Sequence, residues 1–200
     1  MEPPALPDDD LSRAELGRRR RRLHDQALSQ RIAVLLVGPL ATLLVVVVLV
    51  FFVFFDSSTI SGPSMMPTLY DHYYVLATKS LPDPRRGDIV ILNVKQPTGS
   101  EEWVKRIVGL PGDTVDVRGD VITVNGAPEG FKHATLTRGA AGPIEHVVVP
   151  AGRIFVAGDN RAVSEDSRFV GTFSLSAVKG RVVFIYAPIE QIGVVPGPAR

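Results

Sequence analysis

The 200-residue sequence contains no cysteine. That excludes disulfide bridges, a thiolate nucleophile and any cysteine-ligated metal, and it removes the main sequence clue to redox compartment. Histidine is scarce. His24, His72, His133 and His146 form no HExxH motif and no i,i+4 pair, so zinc hydrolysis is unsupported. There is no GxGxxG and no Walker loop, which leaves nucleotide chemistry without a signature. Net charge is only +1 and the positive charge is not spread along a face, which argues against nucleic-acid binding. No internal repeat, low-complexity tract or second long apolar run is visible.

What is present begins with a concentration of charge. Arg18 to Arg22 form an unbroken run, with Arg13 and Arg31 nearby. From Ile32 to Phe55, IAVLLVGPLATLLVVVVLVFFVFF carries no charge and only Thr42 as a polar side chain. As a helix this stretch is ~36 Å long, enough to cross ~30 Å of hydrocarbon with some tilt. A cleaved leader has a shorter apolar region that ends in a small-x-small site, whereas DSSTI follows here. The arginines precede the span, and the next Lys or Arg is Lys79. This asymmetry predicts a single-pass protein of the cell membrane with its N-terminus in the cytoplasm and the rest outside. The arginine run then serves topology and attraction to anionic membrane lipid.

Beyond the span the pattern is β. Short β-branched runs cover Asp88–Val94, Trp103–Val108, Thr114–Val117, Val121–Val124, His146–Val149, Ile154–Val156 and Val182–Tyr186. Turn chemistry separates them at Arg86-Gly87, Pro111-Gly112, Asn125-Gly126 and Ala151-Gly152, and Arg118-Gly119-Asp120 reads as a tight hairpin turn. The fold class is therefore mainly β: one N-terminal transmembrane helix followed by an antiparallel β domain. The expected divisions are a basic cytoplasmic segment (1–31), a transmembrane helix (32–55) and an extracytoplasmic β domain (56–200). The first ~30 residues, proline-rich and then charged, read as loosely ordered.

Three stretches could carry chemistry. In SGPSMMPTLY, Ser61 to Tyr70, Gly62 and Pro63 bend the backbone and Pro67 bends it again, presenting Ser64 on a fixed turn. Taken alone, such a serine is more commonly a turn residue than a nucleophile, and Met65 and Met66 are more commonly packing groups. In WVKRIVGLPGD, strand alternation puts Trp103, Lys105 and Ile107 on one face and Val104, Arg106 and Val108 on the other. Lys105 either snorkels to water from between two apolar neighbours or is held neutral there. The third stretch, GDNRAVSEDSR from Gly158 to Arg168, reads equally as a solvated loop tied by Asp–Arg pairs. A Ser-His-Asp triad could draw on His72, His133 or His146, but nothing near them marks a base. A Ser-Lys pair is a known variant of the same logic.

Together these segments resemble one family, the type I bacterial signal peptidases. The likeness rests on SGPSMMPTL, RRGDIVIL from Arg85, VKRIVGLPGDTV and GDNRAVSEDSR, in the family's order behind an N-terminal span. The short interval from Arg106 to Gly158 resembles the compact forms of Gram-positive bacteria. The resemblance implies a membrane-anchored serine endopeptidase that removes signal peptides from secretory preproteins, with no cofactor and no metal. It implies Ser64 as nucleophile, Lys105 as general base, and Ser164 as a hydrogen-bond partner of the lysine amine. Asp159, Asp166, Arg106 and Arg168 match residues that shape the site through ion pairs, and Arg106 is expected to pair with Asp159.

On this reading Lys105 must be neutral. A lysine of ordinary pKa, ≈ 10.4, is protonated at neutral pH and accepts no proton from serine. Burial beside Trp103 and Ile107 lowers that pKa, and a fall of ~2 corresponds to ~2.7 kcal/mol. One position departs from some members of the family: Gly62 stands where they carry a serine that helps hold the oxyanion. The oxyanion is then expected to be held mainly by the Ser64 backbone N–H with another main-chain donor, since a lost donor that nothing replaced would weaken catalysis by ~2.7–4 kcal/mol. Nine steps of chain from Phe55 to Ser64 reach at most ~30 Å, which keeps the nucleophile near the outer membrane surface. Substrates are expected to carry small residues at the first and third positions before the cut. Two other readings stand beside this one: a catalytically silent anchored β domain, and a Ser-Lys self-cleaving regulator of the repressor type.

Overall fold

A computed structural model describes residues 9–97, 99–119, 121–131, 134 and 143–195. Residues 1–8, Asp120 of the expected hairpin turn and His133 lie outside the described residues. The chain forms two compact units, residues 1–51 and 52–200.

The described residues of the first unit are helical. α1 spans Asp9–Phe54, so the loose order expected of the first ~30 residues is corrected from Asp9 onward. The segment to Arg31 contains no proline, and Glu15 precedes Arg19, as Arg21 precedes Asp25, at the i,i+4 spacing that supports a helix. Its apolar residues from Ile32 to Phe54 are exposed all round. α1 is the one helix among the described residues long and apolar enough to cross a membrane. The helix ends one residue before the expected boundary, because the Phe55 backbone already pairs with Thr78.

The second unit is antiparallel β. Its strands are β1 (Phe55–Thr59), β2 (Tyr74–Thr78), β3 (Ile89–Gln96), β4 (Gly99–Gly109), β5 (Thr114–Arg118) and β6 (Val121–Val124). They continue with β7 (Ala127–Pro128), β8 (His146–Val148), β9 (Arg153–Ala157), β10 (Phe173–Ser174), β11 (Val178–Ala187) and β12 (Gly193–Val194). A short helix, α2 (Ser167–Val170), follows β9. Eight strands make one sheet in the order β1-β2-β11-β3-β4-β9-β10, with β12 on β11, and four make a second in the order β7-β6-β5-β8. All seven runs read from the sequence are strands. β1 and β2 were not among them.

Alternation along the central strands distributes the core. On β3, Ile89 and Ile91 enter a cluster with Met65, Leu69 and Val75, whereas Val90 and Leu92 enter another with Ile107, Ile154 and Val156. Both faces of β3 are thus covered. Val108, Phe155 and Ala157 turn the other way and pack on Val115, Val117, Ile122 and Val124 of the small sheet. Three of the turns read from the sequence converge on Asp113. Its carboxylate accepts from Leu110 N at 2.7 Å, Asn125 Nδ2 at 3.0 Å and Arg86 Nε at 2.8 Å. Burial would raise its pKa, but these donors and the Arg86 charge outweigh burial and hold it below the usual carboxylate range.

Candidate active site

Ser64 sits in the turn between Ile60 and Leu69, both fully buried, with Met65 plugged into the same core at 1% exposure. Gly62 adopts φ 84°, a left-handed conformation that favours glycine, and donates its N–H to Asp71 Oδ1 at 2.8 Å. A serine at this position would be strained, which gives the departure at Gly62 a backbone reason. The Ser64 carbonyl accepts from Asn160 N at 3.0 Å. Its own N–H donates no hydrogen bond among the described residues.

Lys105 extends from β4 toward this turn, and its Nζ donates to Ser64 Oγ at 2.9 Å. The lysine is 5% exposed, with its amine 5.5 Å from the centre of the Trp103 ring and fully buried Ile107 on the same strand face. Burial is the main cause that lowers its pKa to about 8, offset in part by the negative charges of Asp166 and Glu165. The snorkelling alternative is excluded, since the amine ends at a hydroxyl rather than in water.

Arg106 points to the opposite face of β4. It clamps Asp159 with two hydrogen bonds, Nε to Oδ1 at 2.8 Å and Nη2 to Oδ2 at 2.7 Å, and donates to Gly87 O at 2.7 Å. Both partners of this ion pair are almost wholly buried. Thr68 donates to Asp159 Oδ2 at 2.5 Å, so the same carboxylate fastens the Ser64 turn to β4. A second two-pronged pair joins Arg168 to Asp166, Nε to Oδ1 and Nη2 to Oδ2, each at 2.9 Å. Burial would raise the Asp166 pKa, but Arg168 and the Gly158 N–H outweigh burial and lower it.

Ser164 differs from expectation. Its Oγ is buried and makes no hydrogen bond among the described residues, so the bond to the lysine amine is not formed here. The reason is steric and electrostatic. The hydroxyl packs against Gly158, where a Cβ would stand 2.2 Å from Ser164 Oγ and 2.5 Å from Ser64 O, and it adds to the lowering at Asp166 without reaching hydrogen-bond geometry. Only glycine fits at 158. The histidines stand apart: His72 faces Asp71 and His146 faces Asp116, and neither lines the Ser64 cavity.

Sequence reasoning missed Thr68, Gly158 and the Arg161–Glu129 pair. Arg161 donates Nε to Gly158 O at 2.9 Å and lies 2.5 Å from Glu129 Oε1, which ties the Gly158–Arg168 loop to the segment after β7. The only signal for Arg161 was its place inside GDNRAVSEDSR. For Glu129 there was none.

A cavity of about 550 Å3 runs past Ser64 and Lys105, bordered by residues 58–65, residues 101–105, Val163 and Glu165. Two strand edges flank it. β1 ends its sheet, and β4 pairs with β9 only from Arg106 onward, so Gly99–Lys105 has a free edge. The arrangement holds a hydroxyl, a buried amine of lowered proton affinity and an unused N–H beside an open groove. Those are the parts of an acyl-transfer site.

The family model described as signal peptidase, peptidase S26, matches residues 33–187. A signal peptidase I of Bacillus amyloliquefaciens is 34% identical over 153 residues, covering 69% of this chain and 79% of that protein. One from Bacillus caldolyticus is 36% identical over 162 residues, covering 74% and 87%. Among solved structures, a signal peptidase I from Enterococcus faecalis is similar at 29% identity and a TM-score of 0.42, covering 51% of this chain and 98% of that one.

Proposed function

This chain belongs to the signal peptidase family, peptidase S26, and we propose that it cuts signal peptides from exported preproteins with Ser64 as nucleophile and Lys105 as general base. The observation that carries the assignment is the 2.9 Å contact between Lys105 Nζ and Ser64 Oγ, with the amine buried. A charged amine can only donate there. The neutral amine has a lone pair and accepts the Ser64 proton.

In acylation, Ser64 Oγ bonds to the carbonyl carbon before the cut while its proton moves to Lys105 Nζ. The carbonyl oxygen becomes an oxyanion, for which the unused Ser64 N–H is the available donor. The C–N bond then breaks, and the leaving nitrogen takes the proton from Lys105. In deacylation, water attacks the acyl carbon and gives its proton to Lys105. The Oγ–C bond breaks, Ser64 regains the proton, and the signal peptide leaves as a carboxylic acid.

The groove supports the substrate class. An extended chain laid along a free strand edge sends alternate side chains to one side. Positions one and three before the cut therefore face the same wall, beside Trp103, Lys105 and the Ser64 turn, which fits a requirement shared by those two positions. Asp159, Arg106, Asp166 and Arg168 act by holding the turn and the loop in place. The apolar α1 supports anchoring in the cell membrane, with the arginine run on the cytoplasmic side.

The test uses purified full-length protein and a preprotein, with the cut bond identified by mass spectrometry. Ser64→Ala and Lys105→Ala are each expected to abolish cleavage while remaining folded, as a cooperative melting transition checks. Near-normal turnover in either variant would sink the assignment.

A further inference from the structure

Three carboxylates border the cavity that holds Ser64 and Lys105: Glu101, Glu102 and Glu165. Two of them are occupied. Glu101 accepts from Trp103 Nε1 at 3.2 Å, and Glu102 is paired with Lys179. Glu165 is exposed and has neither an ion pair nor a hydrogen bond among the described residues. It also borders a second cavity of about 290 Å3, shared with Ala162, Val163, Ser164 and Phe169. The two cavities meet at Val163 and Glu165.

The position of Glu165 relates it to one half of the substrate. The half before the cut needs alternate side chains on one side, which the free edges of β1 and β4 provide. The half after the cut must leave Ser64 in another direction. The loop that contacts the Ser64 carbonyl through Asn160 N carries Val163 and Glu165 on the cavity border, with Phe169, 42% exposed, beyond them. The charge of Glu165 is close enough to act on the Lys105 amine, so it also acts on a substrate charge near the scissile bond.

We propose that Glu165 is a specificity residue for the departing half of the substrate, favouring a basic side chain in the first residues after the cut and disfavouring an acidic one. The proposal rests on the functional reading above. An unpaired carboxylate at the groove attracts a cation without first giving up another partner, unlike Glu102. A unit charge at contact distance in high dielectric changes binding by about fivefold, less as salt screens it.

The experiment compares peptides identical up to the cut that carry Lys, Gln or Glu at the first or second position after it. They are cleaved by the full chain in detergent micelles. At low ionic strength kcat/KM is expected to fall by about fivefold from Lys to Gln and again from Gln to Glu, at one or both positions. The ladder should flatten in ~1 M salt, where the Debye length is about 3 Å. It should flatten in Glu165→Gln and reverse in Glu165→Lys, with melting curves checking that each variant is folded. The salt response of the unaltered protein tests the charge effect even if a variant fails to fold. No ladder at either position, or one that survives both substitutions or high salt, overturns the role of Glu165 while Ser64-dependent cleavage stands. If the unaltered protein cuts none of the peptides, the functional reading fails and takes this proposal with it.

Discussion

At neutral pH the buried site of Lys105 opposes its own charge, and this has two measurable consequences. The first concerns rate. Only the neutral amine accepts the Ser64 proton, so kcat/KM is expected to rise with pH through an apparent pKa of about 8 and level off above it. A rise only near pH 10 would mean a solvated amine. The second concerns stability. The folded pKa lies below the unfolded one, so the unfolded chain binds more protons between them and stability grows as pH rises from about 8 to 10.5. Below that window the full cost, roughly 3 kcal/mol, is present. Lys105→Met removes it. That variant is expected to be inactive yet more stable to urea by up to roughly 3 kcal/mol at pH 7, with the advantage fading by pH 11. Ser164 presents a different case at the same scale. Its hydroxyl is buried beside Gly158 with no hydrogen bond among the described residues, so removing it leaves no partner unmatched, and Ser164→Ala is expected to keep near-normal kcat and to be at least as stable as the unaltered protein in a urea titration.

The loop after β9 acts as one element because two buried ion pairs hold it from either side. Asp159 is gripped by Arg106 of β4 and by Thr68 of the nucleophile turn, and Asp166 by Arg168 of α2. Removing one partner of such a pair leaves a buried charge unmatched. Asp159→Ala is therefore expected to cost about 3–5 kcal/mol in a denaturant titration, and activity should fall with it as the Ser64 turn loosens. Gly158→Ala probes the same element sterically. The added methyl meets Ser164 Oγ at 2.2 Å and Ser64 O at 2.5 Å, so the variant is expected to lose turnover even where circular dichroism shows the sheets intact. Strands built on β-branched runs bounded by turn residues, such as β3 and β4, were legible in the sequence. β2 was not, because YVLAT is short and its pairing with Arg181 and Val182 joins residues far apart in the chain. β1 was hidden for another reason: FDSST reads as the polar flank of a membrane span until its partner is known.

Across the whole molecule, charge asymmetry sets the expected topology. Five consecutive arginines precede the apolar stretch of α1, and the first Lys or Arg after it is Lys79. Protease added outside intact cells is expected to digest the β unit and spare the N-terminal segment. Digestion confined to that N-terminal segment would reverse the orientation. The arginine run also predicts that replacing Arg18 to Arg22 with neutral residues yields a mixture of orientations, seen as a partly protected β unit in the same assay.

The sequence by itself determined what depends on neighbouring residues: the apolar stretch from its composition, the central strands from their β-branched runs and bounding turns, and the place of Lys105 between Trp103 and Ile107 on one strand face. Motifs that resemble one family also pointed to Ser64 and Lys105 as the candidate pair, and the sequence anticipated the pairing of Arg106 with Asp159. Tertiary structure decided what depends on distant segments meeting. It brought Lys105 within 2.9 Å of Ser64, added Thr68 to the Arg106–Asp159 pair, joined Arg161 to Glu129 and left Ser164 unbonded. The physical reason is that a side chain's identity sets what it can bond, whereas the order of strands in the sheet sets which candidate comes within reach.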